Sequence, residues 1–244
     1  NNGVVATYPL SGSPNYGLEI SGNHFYETEH IEFTSPIFRM FINVSVGDVT
    51  NNSSYITPIK ITDNVFGGSG RDAGGNYVGV MKAGSDYGNS YEPVNPGDKT
   101  ASSLFAINYN AVNASGSNYS LIANNKIAYI DVINPVAGMY RNAGEPYLED
   151  YMGEITCIAT IQGRVLIKDN EIHDIKNTGR ARTQPEGTYR YSYLTQGILS
   201  EVYGGNCDFI IEGNKIRNIQ GDLLYDSQAQ NTLVAGVNTL LNHP

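Results

Sequence analysis

Apolar and polar residues alternate in short bursts along the chain, and five of these bursts share one template. They are Leu18-Glu-Ile20-Ser-Gly-Asn23-His-Phe25, Ile59-Lys-Ile61-Thr-Asp-Asn64-Val-Phe66, Ser120-Leu-Ile122-Ala-Asn-Asn125-Lys-Ile127, Val165-Leu-Ile167-Lys-Asp-Asn170-Glu-Ile172 and Phe209-Ile-Ile211-Glu-Gly-Asn214-Lys-Ile216. Ile stands third and Asn sixth in every copy. Alternation up to the Ile predicts a strand with one buried face. The two places after it hold turn formers or polar residues, and Gly, Asn or Asp there tolerates the left-handed backbone of a sharp corner. The sixth-place Asn is expected to point inward at that corner, where its amide meets backbone groups and the same Asn of the neighbouring repeats. The apolar residue two places later then re-enters the core.

A second apolar segment precedes each copy, at 4–8, 37–46, 104–112, 155–161 and 198–203, and a sixth begins at 233–237 without an Asn partner. Each repeat therefore reads as strand, short turn, strand, corner and a long excursion. The Asn-to-Asn spacings are 41, 61, 45 and 44 residues, and the variation falls in the excursions. One supersecondary unit, stacked on its neighbours with insertions at a fixed corner, describes a solenoid. The expected fold is all-β, a single domain over residues 1–244, with about five to six coils and long loops on one flank.

The Ile-x-x-Asn-x-Ile runs at 167–172 and 211–216 resemble the repeats of the right-handed parallel β-helix of the pectate-lyase-like superfamily. The resemblance covers the chain from about Val4 to Val237. It implies a right-handed parallel β-helix solenoid and points to polysaccharide as the partner. It leaves the activity open, because the superfamily holds lyases, glycoside hydrolases, esterases, phage tailspikes and adhesins. The Asn-Thr-Asp, Asp-Asp, Gly-His-Gly and Arg-Ile-Lys motifs of polygalacturonase-like members do not occur here. The chain also has no Trp, so it lacks the Trp-containing motif familiar in pectate lyases.

Composition agrees with the pattern. Charged residues make up 16% of the chain, below the roughly 25% of an ordinary globular protein. Gly and Asn each occur 27 times and Tyr 18 times, which excludes a helical bundle. Fifteen Lys and Arg against 24 Asp and Glu leave a net charge of −9. No basic run exists to neutralise phosphates, which argues against nucleic acid and against an anionic membrane surface. No apolar stretch suggests membrane insertion. The reading is an extracellular or cell-surface protein whose export signal lies outside this chain, itself a piece of something longer. Cys157 and Cys207 read as two separate small apolar residues. His24, His30, His173 and His243 show no metal-ligand spacing.

Candidate chemistry falls in the excursions, at about 26–36, 67–103, 128–154, 173–196 and 217–232. Tyr offers a flat apolar face with a polar tip, which suits sugar rings. Tyr147, Tyr189, Arg190, Tyr191 and Tyr193 are the candidate substrate-binding residues. Glu149 and Asp150 against Glu186 are a candidate acid–base set for a hydrolase, which needs carboxyls about 5–10 Å apart. For a lyase, Arg180 and Arg182, with Arg190, would neutralise a uronate carboxylate, and Ca²⁺ is the cofactor such a reaction would use. For each of these charged residues a solvated loop or a surface salt bridge is the commoner reading. Glu27, Glu29 and Glu32 beside His30 read as an acidic rim rather than a cation site. The expectation is a polysaccharide-engaging β-helix, either a polysaccharide lyase or a glycoside hydrolase. A non-catalytic adhesin or tailspike section, the latter a homo-oligomer, is the first rival, and a structural rod is the second.

Overall fold

The template folds as its spacing dictates. The computed structural model describes residues 3–7, 18–26, 31–32, 38–45, 58–68, 81–82, 103–111, 118–134, 155–180, 192–202, 207–224 and 231–241. The apolar segments ahead of the template form β1 (Gly3–Thr7), β5 (Phe38–Ser45), β9 (Ser103–Asn110), the first half of β12 (Ile155–Lys168), β14 (Ser192–Val202) and β17 (Asn231–Leu241). The residues before each corner form β2 (Glu19–Ser21), β6 (Lys60–Thr62), β10 (Ser120–Ala123), the second half of β12 and β15 (Cys207–Glu212). Those after it form β3 (His24–Phe25), β7 (Val65–Phe66), β11 (Lys126–Asn134), β13 (Glu171–Arg180) and β16 (Lys215–Leu224). Two short pieces, β4 (Ile31–Glu32) and β8 (Met81–Lys82), complete the set.

All pairings are parallel, in one sheet of ten strands and one of seven. The larger sheet folds along β12 into two leaves. The first runs β1-β5-β9-β12-β14-β17 and the second β2-β6-β10-β12-β15. The smaller sheet runs β3-β7-β11-β13-β16, with β4 and β8 extending it beside β11. In each case a strand's neighbour is the same strand of the next repeat. This is a parallel β-helix of five coils, with β17 opening a sixth. The chain passes from leaf to leaf inside β12, where the register shifts between Thr160 and Gln162 and Gly163 takes φ 93°.

Stacking in register puts identical residues over one another. Ile20, Ile61, Ile122, Ile167 and Ile211 form one column. Phe25, Phe66, Ile127, Ile172 and Ile216 form a second, and its first two rings stack at 5.0 Å. Ile42, Ile107, Ile158, Ile198 and Val237 form a third on the first leaf. The inner members are buried completely, each contributing about 1.5–3 kcal/mol of hydrophobic stabilisation.

The corner satisfies its own polar groups. The fifth place is left-handed in all five coils: Gly22, Asp63, Asn124, Asp169 and Gly213, with φ between 53° and 67°. These are the residue types that adopt this region at least cost. The Asn that follows donates Nδ2–H to the Oδ1 of the next Asn, from Asn23 to Asn64, Asn125, Asn170 and Asn214 in turn, at 2.9–3.1 Å. Its second Nδ2–H reaches back to the Ile carbonyl of the preceding coil, as from Asn170 to Ile122 at 2.9 Å. Inside the stack both ends of every carboxamide are used.

The excursions start later than the sequence suggested. Residues 128–134, 173–180 and 217–224 continue β11, β13 and β16, and residues 31–32 and 81–82 return to the same sheet. The cause is a second apolar set, with Ile130, Val132 and Ile175 all buried. Cys157 and Cys207 are both free thiols, as expected.

Ile167→Ala should cost about 2–5 kcal/mol in urea unfolding. Asn170→Ala, which strips four ladder bonds from a buried site, should cost about 2–4 kcal/mol against under about 1 kcal/mol for Asn23→Ala at the exposed end. Equal losses at Asn170 and Asn23 would show that the ladder does not hold the coils together.

Candidate functional site

The smaller sheet carries the densest polar cluster among the described residues, and a second corner builds it. Four residues beyond Asn64, Asn125, Asn170 and Asn214 the backbone turns left-handed again, at Gly68 (φ 68°), Tyr129 (φ 55°), Asp174 (φ 53°) and Asn218 (φ 53°). Pairing skips these residues and resumes at Ile130, Ile175 and Ile219, so each strand kinks there without leaving the sheet. Asp and Asn take this backbone readily. Tyr does not, at a cost of roughly 1–2 kcal/mol.

The kink gathers Glu171, His173, Asp174, Arg217 and Asn218. His173 is 3% exposed, and its Nδ1 lies 2.7 Å from Asp174 Oδ2. Arg217 donates to Glu171 Oε1 at 3.0 Å and lies 4.0 Å from Asp174 Oδ2, while Asn218 Nδ2 donates to Asp174 Oδ1 at 3.2 Å. The edge of the His173 ring meets the Tyr129 ring at 5.3 Å. Burial alone would raise both carboxyls. For Glu171 the Arg217 hydrogen bond and the pull of His173, Lys126 and Arg217 outweigh it and hold the group below its ordinary range. For Asp174 the bonds from His173 and Asn218, with His173 and Arg217 nearby, do the same. Both are therefore ionised acceptors at neutral pH, and Nδ1 of His173 carries the proton it shares with Asp174.

That pairing fixes the ring as a general base would be fixed, with Nε2 left over. Nε2, however, is buried, has no hydrogen-bond partner and sits 3.7 Å from Glu171 Oε1. A base that substrate cannot reach does no chemistry, so the imidazole acts as the buried side of a clasp. The exposed side is Arg217, Glu171 and Asn218. Around them the outward rows run Lys126, Glu171, Lys215 and Asp131, Lys176, Gln220, in register over three coils.

The second leaf faces outward differently. Its row Lys60, Leu121, Leu166, Ile210 is mostly apolar. Beside it the Arg164 guanidinium lies over the Tyr119 ring at 4.3 Å, and the Tyr119 hydroxyl donates to Asp208. One face of that half-buried ring is thus occupied by the guanidinium.

Glu149, Asp150, Glu186, Arg182, Tyr147, Tyr189, Arg190 and Tyr191 lie outside the described residues. Arg180 ends β13, its backbone opposite Leu224 of β16, and Tyr193 lies in β14 opposite Thr232 of β17, so these two belong to different sheets. Glu32 of the acidic rim pairs with Lys82 across β4 and β8. His173 and Asp174, expected in an excursion, are strand residues. Sequence reasoning missed Glu171, Arg217, Asn218 and Tyr129 as a group. The signal was present as Ile127-x-x-Ile130, Ile172-x-x-Ile175 and Ile216-x-x-Ile219, which extends the template and sets these positions on one face. Among the described residues no three His, Cys, Asp or Glu side chains are placed to hold a metal ion.

No family model matches the chain, and comparison with curated proteins and with solved structures gives no significant match either.

The two depressed carboxyls make a pH prediction. A carboxylate held below its unfolded value stabilises the fold above that value and loses the contribution as pH falls through the folded one. The difference in stability between the wild type and Arg217→Ala should be present at pH 7 and shrink below about pH 4. A gap that stays constant down to pH 2 in thermal unfolding would mean that Arg217 acts through packing alone.

Proposed function

We propose that this chain is an extracellular β-helix of the pectate-lyase-like kind that engages polysaccharide along the outward face of its smaller sheet. The observation that carries the reading is the set of in-register rows around Arg217. Three successive coils present Lys126, Glu171 and Lys215, then Asp131, Lys176 and Gln220, at the strand spacing of about 4.8 Å. A polymer of sugar units lying along the axis meets a charged or polar side chain, donor or acceptor, at each of these three coils. Bonds from hydroxyls to ionised side chains are the stronger class of hydrogen bond. The apolar row of the second leaf offers hydroxyls much less.

Recognition is the role this face supports best. Glu171 and Asp174 are held ionised, which suits acceptors of sugar hydroxyls and does not suit a general acid, which needs a raised pKa. Cleavage belongs to the excursion residues Glu149, Asp150 and Glu186 for a hydrolase, or to Arg180 at the end of β13 and Arg182 with Ca²⁺ for a lyase.

The test is a panel of acidic and neutral polysaccharides, with and without Ca²⁺, scored by affinity electrophoresis alongside uronide absorbance and new reducing ends. At least one polymer should retard the protein, and the double variant Glu171→Ala/Arg217→Ala should bind it about tenfold more weakly. No retardation by any polymer ends the reading. Uronide absorbance or reducing ends would instead move the assignment to the excursion residues.

A further inference from the structure

The outward face of the second leaf takes no part in the polar rows around Arg217, and its charges follow an order of their own. Its middle row runs Glu19, Lys60, Leu121, Leu166 and Ile210, one residue from each of the five coils. Two residues before it stand Tyr119, Arg164 and Asp208, tied to one another across the third, fourth and fifth coils. Two residues after it stand Lys168 and Glu212, opposite each other. Coil by coil these rows read acid, base, apolar, base, acid. Asp63 and Asp169 lie beyond them, at the corner.

The apolar part of the face is open. Ile210 is 38% exposed, and Leu121 and Leu166 are partly exposed. Their neighbours Ile122 and Ile167 already fill the core, so alternation turns these three side chains outward. An exposed apolar patch with a charged rim is the usual mark of a contact with another protein. The rim is free to exchange partners. Lys60 and Glu19 lie 3.8 Å apart and Arg164 and Asp208 3.4 Å, with all four side chains between 31% and 60% exposed, where ion pairs contribute little.

We infer that this face binds a second copy of the chain about a twofold axis that runs along the strands, between the third and fourth coils, so that the two solenoids lie antiparallel. That axis lays Leu121 of each copy over Leu166 of the other. It sets Lys60 over the other copy's Ile210, within reach of Asp208 and Glu212 on either side. Other placements fail on charge or on cover. An axis along the solenoid, or three copies side by side, sets each coil at the level of its own counterpart, base against base in the fourth and acid against acid in the fifth. An axis through the third coil sets Lys60 against Arg164 and Lys168, and Glu19 against Asp208 and Glu212. One through the fourth sets its two bases on themselves. Between the second and third coils the axis lays Leu166 over Glu19, and between the fourth and fifth it covers only two coils among the described residues. The order of charges therefore selects both orientation and level. The second to fifth coils offer a patch of about 19 Å by 16 Å, the scale of small, weak interfaces.

No polysaccharide is needed for the test. Sedimentation equilibrium of the intact chain, followed up to about 1 mM, should show a monomer–dimer equilibrium with a Kd on the order of 100 μM, weakened by salt. Leu166→Glu, Lys60→Glu and Glu212→Lys should each weaken it about tenfold, with circular dichroism confirming the fold of each variant. Lys60→Glu/Glu212→Lys should restore it, although the two residues stand three coils apart in one chain and cannot meet there. Where Leu166→Glu does not fold, Leu166→Ser takes its place. A monomer at every concentration overturns the proposal, as does a trimer. A dimer that none of these substitutions weakens, or a double variant that associates no better than its singles, overturns it too.

Discussion

A buried carboxamide is tolerable only when both its donor and its acceptor ends are satisfied, and in this chain that requirement links every coil to the next. Each inner ladder Asn holds the carbonyl of the coil before it and the carboxamide of the coil after it. It can do so only if the coils lie in strict register, since a slip of one residue would turn it out of the core and leave its partners bare. The Ile column before the corner and the apolar column after it depend on the same register. The hydrophobic effect supplies most of the stabilisation, but it is indifferent to register among similar apolar residues. The carboxamides are what select one alignment.

Because the ladder closes between neighbouring coils, it is insensitive to how much chain intervenes. Spacings from 41 to 61 residues end in the same bonds at the same distances. Variation in length is thereby confined to the chain between templates, while the core and outward polar residues of each corner keep fixed places. The Arg217 cluster belongs to the boundary. It grows from the kink at Tyr129, Asp174 and Asn218, on backbone that the sheet holds in place, so its charges are presented at fixed intervals.

Much of the architecture was legible in the residues, and the reason is repetition. Ile167 alone says little, but five Ile residues at the same place before five Asn residues specify strand, corner and inward face together. The left-handed place could be read from Gly22, Asp63, Asn124, Asp169 and Gly213 because only those residue types adopt such a backbone cheaply. The second corner escaped notice for the converse reason. Tyr129 is not a residue that announces a left-handed turn, and Gly68, Tyr129, Asp174 and Asn218 share no side-chain chemistry. His173 and Asp174 were accordingly assigned to an excursion, although they are held in β13. The candidate residues between 147 and 191 had no repeat to lean on. Excursions that differ in length and composition carry no internal comparison, so Tyr and Glu there could be read only by residue type.

Parallel stacking also has a mechanical side. The hydrogen bonds between coils run along the solenoid axis, so a pull along that axis stretches them directly, and all the bonds joining two coils share the force. The coils form a series, and a series yields at its weakest joint. Between the first and second coils the corner is flanked by strands of three and two residues. Between the fourth and fifth, β13 and β16 run for ten residues each. Under tension the rod should therefore shed its first coil while the fourth and fifth remain joined, giving one end of the molecule a lower breaking force than the other.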